Sequence, residues 1–132
     1  MNDMAALLFI SGSLNEAEVF AAHSVSTLDK IYPPDDPMLL RPLQIIAGVH
    51  FEQGETARAR QALKRMQSLR LDRSEDRALI DGIAASMSEA EGNWLESESH
   101  YSDAILALQQ AGFSESRARK EAESAASAVW RQ

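Results

Sequence analysis

Residues 44–66 read QIIAGVHFEQGETARARQALKRM, and the reading of the fold starts from this stretch. Gly54 stands in the middle of it, with helix-forming sequence on either side. A glycine just past a helix end supplies the left-handed backbone that closes the helix. After the glycine, Ala59, Leu63 and Met66 fall five, nine and twelve positions on, a spacing that keeps them on one helical face. Before it, Ile46-Ala47 lie eight and seven positions back. The stretch therefore reads as helix, glycine turn, helix.

The same arrangement recurs on both sides. Gly12 precedes Gly54 by 42 residues, and Gly92 follows it by 38. Ala17, Ala21 and Ser24 follow Gly12 at the same three offsets, and Ser97, Tyr101 and Ala104 follow Gly92. Ala84-Ala85 precede Gly92 as Ile46-Ala47 precede Gly54, and Met4-Ala5 are the weaker counterpart before Gly12. Small residues on both sides of a turn let two helices approach closely. The larger ones at nine and twelve bury against a neighbouring hairpin, because one hairpin cannot cover its own apolar face.

Breaks at Ser11-Gly12-Ser13, Tyr32–Pro37, Gln53-Gly54-Glu55, Leu71-Asp72-Arg73, Glu91-Gly92-Asn93 and Ala111-Gly112-Phe113 delimit seven predicted helices. These cover 3–11, 15–31, 38–53, 56–70, 74–91, 94–110 and 115–130, with no sustained strand alternation between them. Pro42 is tolerated only near a helix start, which moves the third helix toward Arg41. Ser13, Asp72, Asn93 and Ser114 are the expected N-caps. The last helix carries one apolar stripe, Ala118, Ala122, Ala125 and Val129, on an otherwise polar surface, as a terminal cap requires.

The repeat resembles the tetratricopeptide repeat family. Gly54-Glu55-Thr56 and Gly92-Asn93-Trp94 stand where its Gly-x-Tyr/Trp turn is expected, and Ala59 and Ala104 fall on its small positions. Pro33-Pro34-Asp35-Asp36-Pro37, followed by Ile46–Gly54, is similar to the linker and leading helix of the kinesin-light-chain subtype. His50 and Ser88 stand where that pattern has tyrosine, and Ser97 where it has alanine. The resemblance implies an all-α, right-handed superhelix (α-solenoid) of three antiparallel helix hairpins at about 2–32, 38–71 and 75–110 plus a capping helix at 115–130, one domain over 1–132. It further implies a concave groove lined by the leading helices. Carried over by position, the partner-binding residues are Phe9, Arg41, Gln44, Phe51, Glu52, Ser86 and Glu89. The groove lacks the lysine and asparagine clamp of the chaperone-tail binders.

Composition sets bounds on function. Apolar residues make up 45% and charged residues 25%, as in ordinary folded proteins, and the formal charge of −7 argues against nucleic acid as a partner. The absence of cysteine excludes disulfides, thiol nucleophiles and thiolate metal sites. An acidic start and a short apolar run at Ala5–Ile10 give neither a secretory signal nor a membrane span, so a cytoplasmic location is expected. His23, His50 and His100 lie on three helices without ligand spacing, and no metal or cofactor is expected. Paired acids such as Asp35-Asp36, Glu75-Asp76 and Glu96/Glu98 read as linker or solvent-facing, and the glycines come singly rather than in phosphate-binding loops. No enzymatic activity is expected.

Charge is uneven along the chain. Residues 1–57 carry a net −6, residues 58–77 a net +4 and residues 78–132 a net −5. Within the basic band, Arg58, Lys64 and Arg65 share one side of a helix and form a candidate patch for an acidic partner; the alternative is a solvated face paired with acidic neighbours. The first helix is apolar nearly all round, so Leu7, Leu8 and Ile10 are expected to contact a second copy in a homodimer; the alternative is a fragment whose missing neighbour covers the helix. The expected function is a protein-interaction scaffold binding a peptide or protein. The alternatives are a small acidic secretion-type chaperone of the same architecture, or a helical regulatory domain of a larger signalling protein or enzyme.

Overall fold

The computed structural model describes the backbone of residues 13–127 and side chains to residue 122; Phe9 and the expected dimer contacts Leu7, Leu8 and Ile10 lie outside the described residues. Six α-helices run through the described part: α1 (Leu14–Asp29), α2 (Leu40–Glu52), α3 (Thr56–Gln67), α4 (Ser74–Ala90), α5 (Trp94–Gln110) and α6 (Glu115–Ser127). A 3-10 turn, Pro37–Leu39, leads into α2. No strand occurs among the described residues. The chain forms two compact units, Met1–Arg70 and Leu71–Gln132.

Three turns share one construction. After α2, Gly54 adopts φ +76°, its N–H donates to the Phe51 carbonyl, and the Glu55 N–H donates back to the His50 carbonyl at 2.8 Å. After α4, Gly92 at φ +79° donates to Glu89 while Asn93 donates to Ser88, again at 2.8 Å. After α5, Gly112 at φ +100° donates to Gln109 while Phe113 donates to Leu108 at 3.1 Å. Each pair of bonds satisfies carbonyls that the helix end leaves open and reverses the chain within three residues. A Cβ on any of these glycines would meet nothing within 4 Å, so the requirement lies in backbone conformation and not in crowding.

In the first unit α2 packs against both α1 and α3. Ala17 and Ala21 of α1 bury against Ile45 and Val49 of α2, with Leu14, Phe20 and Ile46 partly buried around them. Ala47 and Ala59, the small residues flanking the turn, are fully buried, as are Leu63 and Met66 within 2%. In the second unit α4 and α5 form a hairpin and α6 packs on both. Ala78, Ala104, Leu108, Ala118 and Ala122 make its core, with Ile105 and Phe113 at the margin. The Arg117 guanidinium lies 4.6 Å from the centre of the Phe113 ring, covering that margin.

Several boundaries differ from the sequence reading for identifiable reasons. α1 stops at Asp29, two residues early, because the N–H groups of Ile31 and Tyr32 both turn onto the Leu28 carbonyl ahead of Pro33. α2 is preceded by a 3-10 turn capped by the Asp36 carboxylate, which accepts from the Met38 N–H at 2.9 Å. Pro42 thus sits in the first turn of α2, where no N–H is required. α3 stops at Gln67 instead of 70. There the Ser68 hydroxyl takes the Arg65 carbonyl, and the Arg70 N–H donates to the Asp35 carbonyl at 2.7 Å. α4 is preceded by Arg73, not Asp72, as its N-cap residue. Asn93 and Ser114 do cap their helices, accepting from the N–H groups of Glu96 and Arg117.

The small residues at the helix crossings predict a direct measurement. Ala85 is fully buried on α4, whereas Leu106 on α5 is 54% exposed. Ala85→Leu should lower stability in urea unfolding by about 2 kcal/mol through overpacking, and Leu106→Ala by less than about 0.5 kcal/mol.

Candidate functional site

The residues expected to line a partner groove fall into two groups. Arg41 and Glu52 are exposed on α2, and Phe51 and Glu89 are half-buried. Gln44 and Ser86 are instead buried, at 8% and 9% exposure, and so present little surface. The reason is that α2 and α4 are covered on more than one face: Leu43, Gln44, Ile45, Ala47, Gly48, Val49 and His50 are all buried on α2.

The basic band is largely taken up locally. Arg65 donates to the Asp29 carboxylate at 2.6 Å, Arg58 lies 3.5 Å from Glu55, and Arg70 lies 3.3 Å from Asp35. Arg73 reaches Glu75, and Arg77 donates through two nitrogens to the Leu71 carbonyl at 3.1 and 2.8 Å. Lys64 is exposed. Arg58, Arg65, Arg70 and Arg73 thus each face a carboxylate.

His50 is buried, at 5% exposure. Its Nδ1 lies 3.1 Å from Glu55 in the turn, and its Nε2 lies 3.5 Å from Glu18 on α1. The two ring nitrogens point apart, so these carboxylates do not converge on a common point. The ring works as a bridge from α1 to the turn after α2.

The second unit holds a different arrangement. Asp81 of α4 and His100 and Asp103 of α5 bring one ligating atom each within 4.8 Å of one another. His100 Nδ1 faces Asp81 Oδ1 at 3.9 Å, and its Nε2 faces Glu96 Oε1 at 3.6 Å. Glu96 is itself held by Asn93, whose side-chain N–H donates to Glu96 Oε2 at 2.6 Å. Asp81 and His100 are half-buried and Asp103 is exposed. Burial, followed by the neighbouring Asp103 charge, pushes the Asp81 carboxyl up to about 6, with His100 pulling the other way. These three residues are the described side chains that could hold a metal.

Nothing in local spacing announced this group beyond His100 and Asp103 sharing a helix face three residues apart. The third member comes across the turn. Asp81 lies eleven residues before Gly92 and Asp103 eleven after, so folding the hairpin at Gly92 sets them opposite one another.

The chain matches no protein-family model, no curated protein and no solved structure. No described helix is long and apolar enough to cross a membrane.

The sign of the Asp81 shift gives a pH prediction. A carboxyl whose pKa rises from 3.8 to about 6 on folding favours the fold below pH 4, and that contribution is lost as pH rises through 6. Asp81→Asn should therefore raise stability at pH 7 in the presence of chelator. After allowance for partial exposure the gain is on the order of 1 kcal/mol. At about pH 3, below both values, the two proteins should unfold at equal urea concentration.

Proposed function

We propose that this protein is an interaction scaffold, a tetratricopeptide-type array of stacked helical hairpins that binds a protein or peptide partner. The observation that carries the reading is the pair Trp94 and Leu95, 65% and 83% exposed at the start of α5. Large apolar side chains side by side in water are what a partner surface supplies with cover, and tryptophan is the residue most enriched at the energetic centre of such contacts. Ile31, Tyr32 and Met38, around the Pro-rich linker of the first unit, add a second exposed apolar group.

The like-built turns at Gly54 and Gly92 and the buried small residues beside them support the repeat reading, since hairpins of one construction can stack. Within the first unit, the exposed Arg41 and Glu52 and the half-buried Phe51, all on α2, would supply polar and aromatic contacts to an extended partner. Exposed apolar anchors framed by charges suit a partner segment of mixed character.

Affinity capture from the native source tests this, comparing wild type with Trp94→Ala and Arg41→Glu. Both positions are exposed, so the variants should keep the wild-type melting temperature. A partner retained in stoichiometric amount by wild type should fall at least tenfold with Trp94→Ala. Retention that is equal in all three proteins, or no retained protein at all, contradicts the proposal.

A further inference from the structure

We propose that Asp81, His100 and Asp103 form a binding site for one divalent transition-metal ion of the zinc type. The site does not rest on the partner-binding reading, because its residues belong to one hairpin and none of them is among the partner contacts named above.

The donor set comes first. One imidazole nitrogen and two carboxylate oxygens make a mixed N/O set that suits zinc, cobalt, nickel or manganese, whereas calcium and magnesium prefer oxygen alone. Three protein ligands leave the remaining positions to water, as in open metal sites. An ion about 2.1 Å from each ligand holds the ligand atoms roughly 3 to 3.5 Å apart. The separations here are at most 4.8 Å, so side-chain rotations of about an ångström close the set around an ion.

The orientation of His100 is the second, separate observation. Its Nε2 faces Glu96, and Glu96 is anchored by Asn93, the residue that caps α5 and follows Gly92. A ligating histidine characteristically gives its other ring N–H to a carboxylate, which fixes the tautomer and turns the ring toward the ion. With the proton on Nε2 toward Glu96, the Nδ1 lone pair confronts the carboxylates of Asp81 and Asp103. Three lone-pair donors then converge with no proton between them, and a cation satisfies all three. Glu96 is a positioning residue in this scheme, and Asn93 ties it to the turn.

Backbone placement brings the ligands together without demand on the helices. His100 and Asp103 are three residues apart on α5 and therefore neighbours on its surface. Asp81 meets them from α4, the helix that packs most extensively against α5.

Titration calorimetry with zinc chloride on the full chain, stripped of metal by chelator, tests the proposal at neutral pH. Wild type should take up one equivalent of zinc in a single saturable event. His100→Gln and Asp103→Asn should each weaken that binding at least tenfold, and Glu96→Gln about tenfold. His23→Gln, on an exposed position of α1, should bind as wild type does. Circular dichroism checks that each variant folds. Should a variant fail to fold, the wild-type protein still decides: zinc should shift the ring 15N resonances of His100 and leave those of His23 in place. No saturable binding, equal binding by His100→Gln and Asp103→Asn, or a zinc response at His23 instead of His100 overturns the site.

Discussion

The left-handed glycine after each of α2, α4 and α5 is the constraint on which the rest depends. An L-residue pays roughly 1 to 2 kcal/mol for that backbone region, and glycine pays almost nothing. What the conformation returns is local: two carbonyls of the last helical turn gain partners, and the chain reverses in three residues. A reversal that short forces the next helix to lie along the previous one. The side chains at the crossing must then be small, and Ala47, Ala59, Ala85 and Ser97 are all buried at these positions. Alanine accordingly shares the described core in nearly equal numbers with Leu, Ile, Val and Met, the small residues sitting where the helices cross.

Register follows from the same turn. Residues equally distant from Gly92 on either side come opposite one another, which is how Asp81 meets Asp103. Asn93, immediately after the glycine, caps α5, grips Glu96 and through it orients His100. The equivalent turn in the first unit is used differently. There Glu55 occupies the place of Asn93 and reaches back to His50, locking the end of α2 to α1 through Glu18. One backbone device thus supports a packed bridge in one unit and a cluster of open ligand atoms in the other.

The helical content and the positions of five turns were legible because glycine, proline and small-residue spacing are local signals. Gly54, Gly92 and Gly112 announced their conformation by standing alone after apolar helices. The missed helix ends at Asp29 and Gln67 share a cause: each is decided by a hydrogen bond that spacing does not encode, such as the Arg70 N–H reaching Asp35 from half a unit away in sequence. Gln44 and Ser86 were placed on an open groove by family pattern, whereas their helices are covered on several faces. The Asp81–His100–Asp103 group was hidden because ligand-spacing rules look along one helix. Counting outward from Gly92 would have found it.

The most direct test of this dependence on the turn is the stability of the chain with L-alanine and with D-alanine at position 92, made by semisynthesis and compared by equilibrium urea unfolding. Neither crowding nor lost contacts complicates the L-alanine result, since a Cβ there meets nothing within 4 Å. L-alanine should cost about 1 to 2 kcal/mol, and D-alanine, which adopts positive φ without strain, should match or exceed wild type by up to about 1 kcal/mol. Equal stability of the two diastereomers would contradict the account.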